Sequence, residues 1–480
     1  SEQGDNLKNK IVVFTSEDAM NVRKKYKAYL NKKEENNLHI YHGDRGSFDH
    51  LKELSLADAH SVYVLGEKAE NGVDSRNINC VKLISDVIHL KNNGKKQEKI
   101  DCYLLLDNLT TFDLLQHNSM EEKIKQVLDV KTFNLHQTWA TKVFSNEAIS
   151  KDQDYTKIYH NIEKLSQRDI TKYDEDVLRF VIVGFNRMGK VIMNQAARVL
   201  HFGHKRKIVL TVMDKNAKAQ ENEFRALHPG WNDIPDVEFE FIESDIISLE
   251  PRKMLADWAN NKQLLSIAIC LRNPDTALYI GLNLPGELYT AKTPVLVRQE
   301  ELHGFTKSIN DDGRYSEVVF FGMIDDVVKN NHAREKIAKE IHDNYVAQNA
   351  EKDKKKGVME TEWAELPESY KWANRYALDN YPVKQLALQM YSKLYTEDRL
   401  ADYCKNIETQ HVEDLELLAE IEHNRWCGER VIAKWAYSED RCNERLLHPC
   451  LVTYDNLSEE LKDYDRENVV MFLNYLSKNN

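Results

Sequence analysis

Gly184, Asn186 and Gly189 fall where a short β-branched run turns into a helix-spaced one, VLRFVIVGFNRMGKVIMNQAARVL over residues 177–200. Strand, tight bend and helix in that order can cradle a phosphate. The first glycine makes the turn, the second lets backbone approach a pyrophosphate, and the third lets the helix pack on its strand. Asn186 stands at the second of these positions. It tolerates left-handed backbone better than a β-branched residue would, and its side chain narrows the space over the bend. Arg187 and Met188 complete the bend, Arg187 as a candidate phosphate contact or a solvated charge.

A second strand, KIVLTVMDKN, ends near Asp214, and a third, VEFEFIESDI, carries Asp245. An acid at the end of the second strand suits ribose hydroxyls and repels a 2′-phosphate, so the expected ligand is NAD or an adenine nucleotide, second-messenger nucleotides included, and not NADP. The elements that must position these residues follow at regular spacing. LLSIAICLRN, TPVLVRQ and EVVFFG read as further strands, with PDTALYIGLNL as a helix between the first two. Alternation of this kind predicts an α/β class with a parallel sheet covered on both faces and a ligand at the carboxyl ends of the strands.

Chemistry is also concentrated near the C-terminus. Glu422, Arg425, Trp426 and Glu429 lie within two turns of a helical stretch, so charge and aromatic surface converge on neighbouring faces. An arginine contact plus stacking could hold a small anionic or aromatic ligand. The alternative is a structural ion pair between Glu422 and Arg425, with Trp426, Trp435 and Tyr437 filling a small core. His423, Cys427, Cys442, His448 and Cys450 have spacings that match no standard zinc finger, and no metal is expected.

With 480 residues the chain exceeds one ordinary core. The expected division is 1–145, a first α/β domain; 146–175, a helical connector; 176–330, the nucleotide-binding domain; 331–361, a charged linker that opens as a helix and carries the cluster Lys352, Lys354, Lys355 and Lys356; and 362–480, a mainly helical domain. Asn456 is placed to cap a helix entered at Leu457. Acidic residues number 78 against 66 basic, a formal charge of −12 that argues against nucleic acid as a partner. Seven scattered cysteines without C-x-x-C argue against a disulfide framework. No run reaches the roughly 18–20 apolar residues of a membrane span, and the expected compartment is the cytoplasm or the cytosolic face of a membrane.

KIVVFTSED followed by LHIYHGDRGSFDHLKELSLADAHSVYVLGE repeats the order seen after the glycine bend, where ESDIISLE parallels HGDRGSFDHL. The segment Gly43, Asp44, Leu51, Leu54, Ala57 and Ala59 resembles the TrkA-N or RCK family, Rossmann domains that regulate potassium transporters and channels, over about 8–145 and 176–330. By that resemblance KIVVF is a second strand, so the first copy lacks its glycine loop and helix. Either the copy is degenerate and another segment completes its sheet, or this chain is the cytosolic piece of a longer protein, with a membrane pore ahead of Ser1. The resemblance also implies a homodimer or higher ring.

Leu366, Pro367, Asn374, Arg375, the run Glu422-His423-Asn424-Arg425-Trp426, then Trp435, Tyr437, His448, Pro449, Leu451, Tyr454, Leu457, Tyr464 and Asp465 resemble the RyR domain of ryanodine receptors and free-standing bacterial proteins, over about 362–477. Bacterial proteins that pair TrkA-N with RyR look like effectors of nucleotide-signalled antiviral defence. The expectation is therefore a ligand sensor binding a small nucleotide and controlling a partner or an ion-channel pore, and not an enzyme. An NAD-dependent oxidoreductase is the rival, but it needs an acid or base beside the nicotinamide, and no compact substrate domain follows Gly322. P-loop, G-x-S-x-G and H-E-x-x-H patterns are all absent. A ligand-free assembly scaffold is the third reading.

Overall fold

The computed structural model describes residues 10–27, 30–66, 72–92, 98–117, 120–144, 178–203, 207–261, 263–300, 309, 313–323, 332–356, 362–363, 365–392 and 400–479. The connector expected at 146–175 lies outside them. The chain divides into two compact units, Ser1–Asn134 and Leu135–Asn480.

In the first unit the order is β1 (Ile11–Thr15), α1 (Ala19–Lys27), α2 (Lys32–Asn37), β2 (Leu38–His42), α3 (Phe48–Lys52), β3 (Ser61–Val64), α4 (Val73–Asn92), β4 (Ile100–Leu105), α5 (Leu109–His117), α6 (Glu122–Lys125) and β5 (Leu128–Phe133). β1 and β2 form one parallel pair, and β3, β4 and β5 form a separate three-stranded parallel sheet in that order. α4 buries Val81, Ile84, Val87 and Ile88, and its Asn77 side chain donates to the Leu105 carbonyl at 2.9 Å, tying helix to sheet.

The second unit opens with α7 (Leu135–Phe144) and continues β6 (Leu178–Val183), α8 (Arg187–Val199), β7 (Ile208–Asp214), α9 (Ala217–Leu227), β8 (Val237–Glu243), α10 (Leu249–Asn260), β9 (Leu264–Ile269), α11 (Pro274–Leu282), α12 (Gly286–Thr290), β10 (Val295–Arg298) and β11 (Val318–Phe321). The strands form one parallel sheet in the order β11-β10-β9-β6-β7-β8. Numbered within the domain this is the 3-2-1-4-5-6 order of a Rossmann-like fold, whose strand order reverses beside the first strand. β6 is central, and from Phe180 to Val183 its residues are apolar and buried on both faces, as a sheet covered by helices on both sides requires. α7, which the sequence reading places at the end of the first domain, packs in the second unit, where Trp139 donates to the Met323 carbonyl at 3.0 Å and Gln137 reaches Gln195 of α8 at 3.3 Å.

The helical region comprises α13 (His332–Lys356), α14 (Glu368–Asp379), α15 (Tyr381–Tyr391), α16 (Leu400–Lys405), α17 (Ile407–Gln410), α18 (Val412–Ile432), the short pair β12 (Ala436–Tyr437) and β13 (Leu447–His448), and α19 (Glu459–Asn479). The stretch expected as a helix running into a charged linker is helical to Lys356 as α13, which packs on α14 and α19 and buries Arg334, Ala338, Ile341 and His342. Its composition is charged because only one stripe of a helix faces a core. The expected cap at Asn456 is not formed. Asn456 ends a 3₁₀ turn with its amide donating to Thr453 Oγ1 at 3.0 Å, and the helix begins at Glu459. The fold class is therefore α/β, with parallel sheets in both units and a helical C-terminal region. Among the described residues no helix is long and apolar enough to cross a membrane.

Candidate functional site

At the carboxyl end of β6 the chain bends at Gly184, whose φ of +89° is a conformation that glycine adopts without a Cβ penalty. A Cβ on Gly189 would meet the Gly184 carbonyl oxygen at 2.1 Å, so α8 can lie this close to the strand only without a side chain there. Asn186 caps α8. Its side-chain oxygen accepts from the backbone N–H of Met188 at 2.9 Å and of Gly189 at 3.4 Å, and its amide nitrogen donates to the Cys270 carbonyl. Asp214, at the end of β7, accepts from Phe185 N at 2.8 Å and from Asn216 N at 2.9 Å.

The bend thus gathers Gly184, Asn186, Met188, Gly189 and Asp214 into one place, with Met188 buried and Arg187 exposed. Asp245 stands after the neighbouring strand, where Lys215 bonds it at 2.9 Å and holds its carboxyl below the usual range. Here Asp214 holds the bend's own main chain, which is a different task from holding ribose. Asn186 likewise occupies the amides that an incoming phosphate would use at a helix N-terminus.

The charged residues of α18 are placed differently. Glu422 bonds Lys384 of α15 at 2.6 Å and Arg425 at 2.9 Å, and Arg425 reaches Glu429 at 2.7 Å. All four are buried. Burial by itself pushes the Glu422 carboxyl up, but the Arg425 and Lys384 charges outweigh it and bring it to about 2. The arginine proposed for a ligand is thus engaged on both sides by carboxylates.

On another face of α18 the structure brings Trp426, Trp435 and His448 together. His448 meets Trp426 edge-on at 4.9 Å and Trp435 at 5.9 Å, with the Arg430 guanidinium 5.6 and 5.5 Å from the two indole rings. The Trp435 indole N–H and the Arg430 Nε–H are buried with no hydrogen-bond partner among the described residues. Tyr437 is exposed beside them. His448 accepts from Cys450 N through Nδ1 at 3.1 Å, and burial, then Arg441 and Arg430, lower its pKa to about 4. A neutral imidazole, two indoles and a guanidinium make a corner suited to a planar or anionic guest. Arg430 was not singled out by sequence, although it lies four residues beyond Trp426 and so on the same helix face. Among the described residues no group of three or more His, Cys, Asp or Glu is placed to hold a metal. His423 instead bonds the Val452 carbonyl at 2.8 Å and faces Asp465 at 3.3 Å.

The two places are joined by α8. Along its C-terminal half α8 packs against α18, and a Cβ on Gly428 would meet the Ala197 carbonyl oxygen at 2.3 Å. Beside that contact Asn424 donates to Asp236 at 3.1 Å, and Asp236 bonds His201 at 2.6 Å. Further along, Gln195 donates to Asp379 at 2.7 Å, Arg334 pairs with the same carboxylate at 2.6 Å, and Asn380 donates to the Val199 carbonyl at 2.8 Å. His228, after α9, lies 3.4 Å from the Val431 carbonyl, and burial lowers its pKa to about 4.

His228 gives a pH prediction. Its folded pKa lies below the unfolded value of about 6.5, so the unfolded state binds the extra proton first on acidification. The contribution is complete above about pH 6.5 and is lost as pH falls towards 4, a difference of about 3 kcal/mol. Urea unfolding of His228→Gln should show a flatter pH dependence than the parent between those values. Equal slopes would mean that the ring is hydrated in the folded protein.

Residues 402–480 match the model of the RyR domain. No curated protein matches the chain. A solved structure reported under the identification of the pyruvate reductase of Chlamydomonas reinhardtii is similar at 10% identity, covering 80% of this chain and 96% of that one with a TM-score of 0.21. A likeness at that level carries no argument.

Proposed function

We propose that this chain is a ligand-responsive regulatory protein in which a nucleotide-type ligand at the Gly184–Gly189 bend is read out by the RyR-like helical region. The observation that carries the reading is the position of α8. The helix that starts at the bend is clasped over its second half by α18 and by the Asp379 cluster, so a ligand that shifts its first turn strains a close-packed interface. NAD or an adenine nucleotide is the ligand class that the motif favours. The TrkA-N or RCK resemblance extends the reading to a homo-oligomer that governs a pore or another partner. The corner of Trp426, Arg430, Trp435 and His448 is a second place where a planar anion could act on the same helix.

The ligand-free scaffold is kept as a second reading because the bend satisfies its own amides through Asn186 and Asp214. One substitution separates the two. Asn186→Gly removes the side chain that stands where a phosphate would bind, at a cap cost of only a few tenths of a kcal/mol. Calorimetric titration with NAD, ADP and ATP should then show about tenfold tighter binding of at least one of them, the equivalent of about 1.4 kcal/mol. Gly189→Val should abolish that binding, because its side chain would be driven into the Gly184 carbonyl. Absence of binding by both the parent and Asn186→Gly, with no nucleotide released on denaturing the purified protein, would leave the scaffold.

A further inference from the structure

Arg198 is a buried cation without an anion. It stands one residue before the end of α8 and is 5% exposed, and its Nε and Nη1 nitrogens are enclosed with no hydrogen-bond partner among the described residues. The guanidinium lies 4.4 Å from the centre of the Tyr376 ring of α14, a stack that orients the group and leaves its N–H edge unmatched. Asp379, on the same helix as Tyr376, acts on Arg198 electrostatically, yet Arg334 and Gln195 take its two oxygens at 2.6 and 2.7 Å. Buried guanidinium groups are normally paired, and one left unsatisfied calls for a ligand, an ion or water.

Two further groups come to the same place from other elements. The Val431 carbonyl accepts from the Lys434 main-chain N–H at 2.9 Å and from His228 Nδ1 at 3.4 Å, so one oxygen ties the residue after α9 to the end of α18. A carbonyl only accepts, which puts the neutral ring's proton on Nδ1 and leaves Nε2 as a lone pair. The charged side chains that act on this buried ring, Lys434 after α18 and Arg198 on α8, are both cations. Neither has an ion pair among the described residues.

We infer that Arg198, His228 and Lys434 form a site for a tetrahedral dianion, the phosphate or sulfate group of a small ligand, where the ends of α8, α9 and α18 meet α14. Two fixed cations favour a doubly charged group over a carboxylate, and the edge of the guanidinium offers paired donors to two of its oxygens. His228 takes up a proton at Nε2 and donates it to a third oxygen as a hydrogen bond, so the ring gains one proton and the anion none. This place is at the opposite end of α8 from the Gly184–Gly189 bend, and it stands whether or not the bend holds a nucleotide. Occupied, it fastens α8 to α18 at the far end of the helix.

The test is calorimetric titration of the 480-residue chain with sodium sulfate, an ion that does not titrate in the neutral range, at constant ionic strength. Arg198→Met should weaken sulfate at least about tenfold, the loss of a charge-assisted contact, and Lys434→Met should weaken it by less. Burial first, and then Lys434 and Arg198, hold the free His228 ring at about 4, and a bound dianion raises it, so affinity should rise as pH falls. The expected gain in the parent is about tenfold from about pH 6.5 to about pH 5.5, and His228→Gln should abolish it. Gly189→Val should bind sulfate as the parent does, which separates this site from the bend. In that variant, inorganic phosphate and AMP titrated at one pH tell a free ion from a phosphate carried on a larger molecule. Melting in chloride buffer controls for folding: Arg198→Met removes an uncompensated buried charge and should melt no lower than the parent. Equal sulfate affinity in the parent and Arg198→Met overturns the inference, as does loss of sulfate binding in Gly189→Val alone. Arg198→Met melting well below the parent, with no sulfate response in either, makes the arginine a packing partner of Tyr376 and overturns it too.

Discussion

Glu422→Gln is expected to destabilise the 135–480 unit by about 3–5 kcal/mol, the cost of breaking a buried ion pair while its partners stay in place. The substitution keeps the shape of the side chain and removes only its charge, so no cavity contributes. In the parent two cations, Lys384 and Arg425, are matched by two anions, Glu422 and Glu429. In the variant both cations remain buried and Glu429 alone opposes them. Lys384→Met in the same chain should recover most of the loss, since it removes the cation that Glu422 had balanced. Urea unfolding followed by tryptophan fluorescence reads both variants, and a loss below about 1 kcal/mol for Glu422→Gln would show that water reaches the cluster. Acid works in the same direction. Because Glu422 is held at about 2, its contribution stands above the unfolded value near 4.5 and fades as pH falls through that interval.

The same cluster shows what a sequence can and cannot reveal. Glu422, Arg425 and Glu429 share a helix, so their proximity follows from helical spacing alone. Lys384 belongs to a different helix, and Asp236, which holds Asn424, comes from the loop before β8. Nothing local in the sequence announces such long-range partners, and charged residues are read as surface until tertiary structure buries them. The glycine bend was legible because each glycine answers a backbone demand. The satisfaction of its amides by Asn186 was legible only in part. Asn is a favoured cap, but the competition between that cap and a phosphate depends on where the carboxamide points. In residues 332–356 the helix itself is legible, but the stripe of Arg334, Ala338 and Ile341 that faces the core is a minority of a charged segment and nothing local announces it.

Gly428→Leu should have an effect of similar size and a sharper consequence for function. A side chain at 428 points at the Ala197 carbonyl, which is main chain of α8 and cannot turn aside as a flexible side chain would. α18 must move away, which opens the Asn424–Asp236 contact and leaves buried polar groups short of partners, at a cost of about 3 kcal/mol or more. Gly428→Ala gives the more discriminating result. In a solvent-exposed helix interior that change stabilises by about 1 kcal/mol, so helix propensity alone predicts a gain. Close approach to Ala197 predicts a loss, and the sign of the change in melting midpoint decides between them. If Gly428→Ala raises the midpoint, α8 and α18 are not in main-chain contact and the proposed route from the bend to the RyR-like region has no mechanical basis. If it lowers the midpoint while nucleotide binding at the bend persists, exchange protection of residues 412–432 should no longer respond to nucleotide, because the element that transmits the response has been displaced.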